Sequence, residues 1–292
     1  MNTYVVEGGI GKCVSFSALL PELRKKSDIQ IYTPYIDVFA NNPDVKLVLE
    51  QTLPIQDERI MASDNIYYCE PYKSNFQFGK QHIIESYCEH HGVEFNKSMK
   101  PKMYTEQHKE AVDKWLSDNK IEKYILVQFS GGQPKAGFNV NNQYTNINPN
   151  RNYQPFLAQQ VINMLLEEYK NTTIINCVLP NEPHYQGTIR CDLHFAQIHE
   201  LLKGAEGFIS IDSCLQHFSA SAEKHGVVIW GSTRWTQFGY SHNKNLQFHM
   251  DNKWNETKFI DSDPRNNMVE PKLVIDEYKK LDKNKPVACA TE

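Results

Sequence analysis

Several things are missing from this 292-residue chain. No run is long and apolar enough to cross a bilayer, so no integral membrane segment is expected. The start, M-N-T-Y-V-V-E, has neither the basic opening nor the apolar core of a secretory signal, and a cytoplasmic location is expected. The seven cysteines are odd in number and never spaced C-x-x-C, which is the usage of reduced thiols. A net charge of −4 excludes a wholly basic nucleic-acid binder. There is no G-x-G-x-x-G. The glycine–lysine pair Gly11-Lys12 fails as a P-loop, because Val6 stands where the first glycine belongs and Cys13 replaces the Ser/Thr that would hold magnesium. No D-x-D run stands where it would carry a catalytic metal. Cys69, His82, Cys88, His90 and His91 share a region but match no standard metal spacing. Their plain reading is a helix with exposed histidines, and no metal is expected.

What is present is an ordinary globular balance, 40% hydrophobic and 23% charged, at a length that suits two domains. Thr3 to Val6 reads as a strand, Glu7 to Gly11 as a glycine turn with Gly8, Gly9 and Gly11, then a helix with Phe16, Leu19, Leu20 and Leu23 inward, then a strand at Ile29 to Tyr32. This β–turn–α–β opening starts a doubly wound sheet. The first domain is expected to end near Ile121. A second begins with the apolar run Tyr124 to Phe129 and extends to 262, and 263–292 forms a C-terminal helix and tail.

The most informative stretch is Phe208 to Tyr240. It reads as a short β-branched strand, a helix with Asp212 and Ser213 as N-cap types and Gly226 as its stop, and a second strand at Val227 to Trp230. Such a βαβ unit places Asp212 at a strand's carboxyl end and a helix N-terminus, where open α/β sheets bind anions. Lys135 and Arg151, in a long Asn-rich stretch, are side chains suited to a diphosphate.

The run I-S-I-D-S-C-L-Q-H-F-S-A-S-A-E-K-H-G-V-V-I-W-G-S-T resembles the donor-site signature of the ADP-heptose:lipopolysaccharide heptosyltransferases, glycosyltransferase family nine. Asp212, Ser213, His217, Ala220, Gly226, Trp230, Gly231 and Thr233 fall on matching positions. V-V-E-G-G-I-G-K-C-V-S-F-S-A-L-L-P-E-L-R resembles the family's glycine-turn start, I-L-V-Q-F-S-G-G its first C-domain strand and turn (with Gly131), and Leu179-Pro180-Asn181-Glu182 its strand-end motif with a ribose-binding Glu. The likeness spans about residues 3 to 240, and only the block 208–233 is specific.

The resemblance implies an α/β GT-B fold, two Rossmann-like domains facing across a cleft. It implies transfer of a sugar from an ADP- or UDP-linked nucleotide-diphosphate donor to a hydroxyl acceptor, inverting and without metal or other cofactor. Asp212 would meet the donor sugar, Ser213 and Cys214 the diphosphate, and His217, when protonated, would offset leaving-group charge. Cys214 stands where the motif has glycine, and Arg151-Asn152-Tyr153 where the family often has K-x-W. Lys12 replaces the Asp that serves as the family's base. Glu7 is therefore expected as the base, with Lys12 pairing with it or with phosphate, and Asp37 as the reserve. The acceptor implied is an envelope glycan. A viral transferase acting on a hydroxymethylated DNA base, a non-catalytic nucleotide-sugar-binding protein and a Rossmann-like epimerase stay open as other readings.

Overall fold

The computed structural model describes residues 1–52, 57–72, 74–131, 151–178, 182, 184–231, 233–247 and 268–281, and the structural statements below concern these. The chain opens with β1 (Asn2–Val5), α1 (Ile10–Phe16), α2 (Leu20–Arg24), β2 (Ile29–Thr33), α3 (Ile36–Phe39), β3 (Leu47–Glu50), α4 (Glu58–Met61), β4 (Asn65–Tyr68), α5 (Ser74–Gln77), α6 (Ile83–His90) and α7 (Lys109–Asp118). It continues with β5 (Tyr124–Gln128), α8 (Pro155–Glu168), β6 (Thr173–Cys177), β7 (Ile189–Cys191), α9 (Phe195–Gly204), β8 (Phe208–Ile211), α10 (Cys214–Ser221), β9 (Gly226–Trp230), α11 (Trp235–Phe238), β10 (Lys244–Gln247) and α12 (Pro271–Lys279).

Two parallel sheets result. The first has strand order β3-β2-β1-β4 and the second β10-β9-β8-β5-β6-β7. Every described pairing is parallel. Helices cover the faces, which is why β2, β8 and β9 are buried throughout and largely apolar. Each sheet reverses its direction of winding at one place, β1/β4 in the first and β5/β8 in the second, and these crevices are where such folds hold ligands.

The two halves share a core. Phe16, Leu19 and Tyr87 of the first belong to the same apolar cluster as Leu215, Phe218 and Trp230 of the second. α12 packs on α8, so the C-terminal helix lies with the second sheet. Gly226 does not stop α10, as expected from sequence. The helix ends at Ser221, and Glu223 makes the left-handed turn at φ 53°. Gly226 instead begins β9, where a Cβ would lie 2.3 Å from the Phe208 ring. His82 is likewise not exposed. It caps α6, accepting from the Ile84 N–H at 3.3 Å, and meets the Gly239 carbonyl at 3.0 Å across the two halves.

Candidate active site

The second sheet's crevice lies between the ends of β5 and β8. Ser213, directly after β8, donates its hydroxyl to Gln128 Oε1 at the end of β5 and ties the two sides together. Gly131 lies against it. A Cβ there would stand 3.3 Å from Ser213 Cβ, and the Gly131 N–H donates to Asn152 Oδ1 at 3.0 Å. Ser213 adopts an extended backbone at the N-cap of α10 without capping the helix with its own side chain, so its hydroxyl does not satisfy that helix's first-turn N–H groups. Cys214 opens α10, half-buried, its thiol pushed up by burial.

Asp212 is 2% exposed. Thr233 donates its hydroxyl to Oδ2, Arg151 Nη2 lies 3.3 Å from the same oxygen, and Arg151 Nε donates to the Asp212 carbonyl. The other oxygen, Oδ1, is buried with no hydrogen-bond partner among the described residues. A buried carboxylate oxygen without a donor is costly, by about 1–3 kcal/mol, and marks a place where a ligand donor fits. Arg151 keeps 30% of its side chain exposed beside it. Glu182 accepts from Arg190 Nη2 through its backbone carbonyl at 2.9 Å. Lys135, with Leu179 to Asn181 of the strand-end motif, lies outside the described residues.

His217 is buried between the halves. Its Nδ1 is 3.1 Å from Ser15 Oγ on α1 and 3.0 Å from the Tyr240 hydroxyl. Gln216 Nε2, 2.9 Å from Nε2, donates to it, so the ring proton resides on Nδ1. Desolvation pushes its pKa down to about 3, against the opposing pull of Asp212. Burial therefore disfavours the protonated ring that the charge-offsetting role would need. A cation there would be buried with no carboxylate bonded to it, and the neutral ring acts as an interdomain strut. Gly11 makes this possible, since a Cβ on it would approach His217 Cδ2 to 2.5 Å.

The first sheet's crevice lies between the ends of β1 and β4. Gly8, at φ +95°, turns the chain after β1 in a conformation that favours glycine, and Gly9 is the N-cap of α1. The expected Glu7–Lys12 ion pair does not form. Glu7 is exposed and accepts from Gln51 Nε2 at 2.5 Å, beyond β3. Lys12 Nζ pairs at 3.0 Å with Glu70 Oε2, from the segment after β4, and lies 4.4 Å from the centroid of the Tyr72 ring. Strand register explains the exchange. Val5 is paired with Tyr68, so Glu7 and Glu70 each stand two residues past the last pair, side by side. Asp37, on α3, is 3.6 Å from His194 Nδ1, at the N-cap of α9, and serves another junction.

The two crevices face each other. The Tyr72 hydroxyl, whose pKa burial raises, feels Asp212 and Arg151 from the opposite sheet and Glu70 from its own. Glu70, Tyr72 and Ser15 escape a reading of the sequence, because only the β1–β4 register and the α1–α10 contact bring them to the cleft.

Two parallel Rossmann-type sheets with facing switch points define the GT-B architecture of glycosyltransferases, and the expected fold class is borne out. The family described as Glycosyltransferase family 9 (heptosyltransferase) matches residues 175–268. Among solved structures, a glycosyl transferase family 9 protein from Veillonella parvula aligns at TM-score 0.71 and 11% identity, over 96% of each chain. E. coli ADP-heptose LPS heptosyltransferase II aligns at TM-score 0.63 and 12% identity, over 96% of this chain and 98% of that one. The dodecameric iron-containing heptosyltransferase TibC, in complex with ADP-D-β-D-heptose, aligns at 0.65 and 12%, over 96% of this chain and 75% of its own. No curated protein matches by sequence. The resemblance read from the 208–233 motif stands, and the class the match and fold define is a nucleotide-sugar-dependent glycosyltransferase.

Proposed function

We propose that this protein moves a sugar from an ADP- or UDP-linked nucleotide-diphosphate donor to an acceptor hydroxyl, with inversion at the anomeric carbon and without a catalytic metal, and that it works in the cytoplasm on an envelope glycan. The observation that carries the donor side is Asp212: a buried carboxylate at the β5/β8 switch point, fixed by Arg151 and Thr233, with Oδ1 left for a ligand hydroxyl. Ser213 and the N-terminus of α10 take the diphosphate, where N–H groups and the helix dipole favour negative charge. Arg151, partly exposed beside Asp212, offsets charge on the leaving nucleotide. His217 contributes by position, holding the Gly11 turn against α10.

The nucleotide favoured is ADP, because the structural neighbours are an ADP-heptose enzyme and a protein holding ADP-D-β-D-heptose. TibC is iron-containing. Among the described residues here, no group of three His, Cys, Asp or Glu side chains stands together to hold a metal. The test is thermal denaturation of the full chain with ADP or UDP, followed by mass spectrometry of mixtures with ADP-heptose or UDP-sugars and candidate acceptors. ADP is expected to raise the melting temperature, and an Asp212→Asn variant is expected to lose sugar transfer. No shift with either nucleotide would overturn the donor reading.

A further inference from the structure

We infer that Glu70 is the general base of this site, with Lys12 as its positioning cation. The inference rests on the glycosyl-transfer reading above and names the proton acceptor which that reading needs. An inverting transfer requires a base where the acceptor hydroxyl meets the anomeric carbon. That point lies between the two switch-point crevices, and the first is bordered by the ends of β1 and β4. Three carboxylates of the first half are candidates: Glu7, Asp37 and Glu70. Glu7 is bonded to Gln51, past β3 and across β2 from the crevice. Asp37 is committed to His194. Glu70 alone among these lies on the β4 side of the crevice, next to Tyr72, whose hydroxyl feels Asp212 and Arg151 of the donor side.

Glu70 is also held as a base must be. Lys12 Nζ bonds Oε2 at 3.0 Å, and the Tyr72 N–H donates to Oε1 at 3.0 Å. Each carboxylate oxygen has a second lone pair, so either can still accept a proton. The segment carrying it is pinned on both sides: Ser86 Oγ donates to the Pro71 carbonyl at 2.5 Å, and Gln77 Nε2 to the Tyr72 carbonyl at 2.8 Å. Glu70 keeps 47% of its side chain exposed while Lys12 keeps 14%. The carboxylate is therefore the solvent-open member of the pair, and the ammonium lies over the Tyr72 ring. The step balances within the site. The acceptor oxygen, or water, bonds to the anomeric carbon and its proton passes to Glu70. The bond from that carbon to the diphosphate oxygen breaks, and its electron pair leaves with the nucleotide.

The test measures nucleotide release from ADP-heptose and from UDP-sugars, with water as acceptor, for the wild-type chain and for Glu70→Gln, Glu7→Gln, Lys12→Met and Lys12→Arg. Binding of ADP checks that each variant is folded. Glu70→Gln is expected to bind ADP as the wild type does and to lower kcat by about 100-fold or more. It should also abolish the acid limb of the pH–rate profile. Lys12→Met is expected to keep that limb and lower kcat, and Lys12→Arg, which restores the cation, to recover it. A limb that survives Glu70→Gln, or one abolished by Glu7→Gln instead, overturns the assignment. So does a wild-type chain that binds ADP and releases no nucleotide from any donor. A chain that binds neither ADP nor UDP overturns the donor reading itself, and Glu70 with it.

Discussion

Asp212 combines near-complete burial with one oxygen that no described residue bonds, and Arg151 is what makes its charge tolerable there. Removing one partner of a buried ion pair leaves the other uncompensated, at a cost of about 3–5 kcal/mol. Because Arg151 is 30% exposed, Arg151→Met is expected at the low end, about 3 kcal/mol, read as a lower urea midpoint with an unchanged slope. Cys214 gives a second residue-scale prediction. Cys13, Cys69, Cys88, Cys177 and Cys191 are buried, and Cys214 alone of the described cysteines is half-exposed. Iodoacetamide should label Cys214 before those five, slowly because burial raises its thiol pKa, and ADP should protect it. Peptide mapping would show equal labelling with and without ADP if the diphosphate does not sit at α10. Residues of this kind were legible from sequence where a local motif fixes them: Asp212 follows an apolar strand and Ser213 precedes an apolar-periodic helix. Glu70 was not legible, since E-P-Y after an exposed edge strand carries no local sign of its neighbour Lys12.

At the scale of elements, the β8–α10–β9 unit is the most clearly written part of the chain, because both of its strands are fully buried and are apolar apart from Ser210. β7 and β10 are edge strands of three and four residues with mixed polarity, and nothing in I-R-C or K-N-L-Q sets them apart from loop. The contact of α1 with α10 decides how the halves meet. Gly11→Ala would drive a methyl toward the His217 ring, which Ser15, Tyr240 and Gln216 hold in place. The expected cost is about 1–3 kcal/mol, the range for overpacking a filled site, measured by chemical denaturation. A neutral outcome would show that His217 yields and is no strut.

Across the whole molecule, buried neutral histidines cluster where the halves join. His82 meets Gly239, His217 meets Ser15, and His199 Nδ1 is 2.8 Å from Thr105 Oγ1. Desolvation lowers His82 to about 4, and His199 and His217 to about 3, from an ordinary 6.5. Below pH 6.5 the unfolded chain therefore binds protons that the folded chain refuses, and stability falls on acidification. Each ring contributes up to about 1.4 kcal/mol per pH unit within that window. The denaturation midpoint should drop between pH 6.5 and 5, before most carboxylates titrate, and His217→Gln should flatten the drop. A midpoint constant over that range would contradict the burial of these rings.

The sequence by itself determined the class of fold and the donor motif, because apolar periodicity, glycine turns and strand-end polar residues are local properties that neighbours in the chain impose on one another. Only the tertiary structure decided which charges meet. Glu7 and Lys12 are five residues apart and turn away from each other, while Lys12 and Glu70 are 58 apart and join, because parallel pairing of β1 with β4 sets their strand ends level. His217 follows the same rule: its place in the motif is written locally, and its protonation state is set by the α1 surface that closes over it.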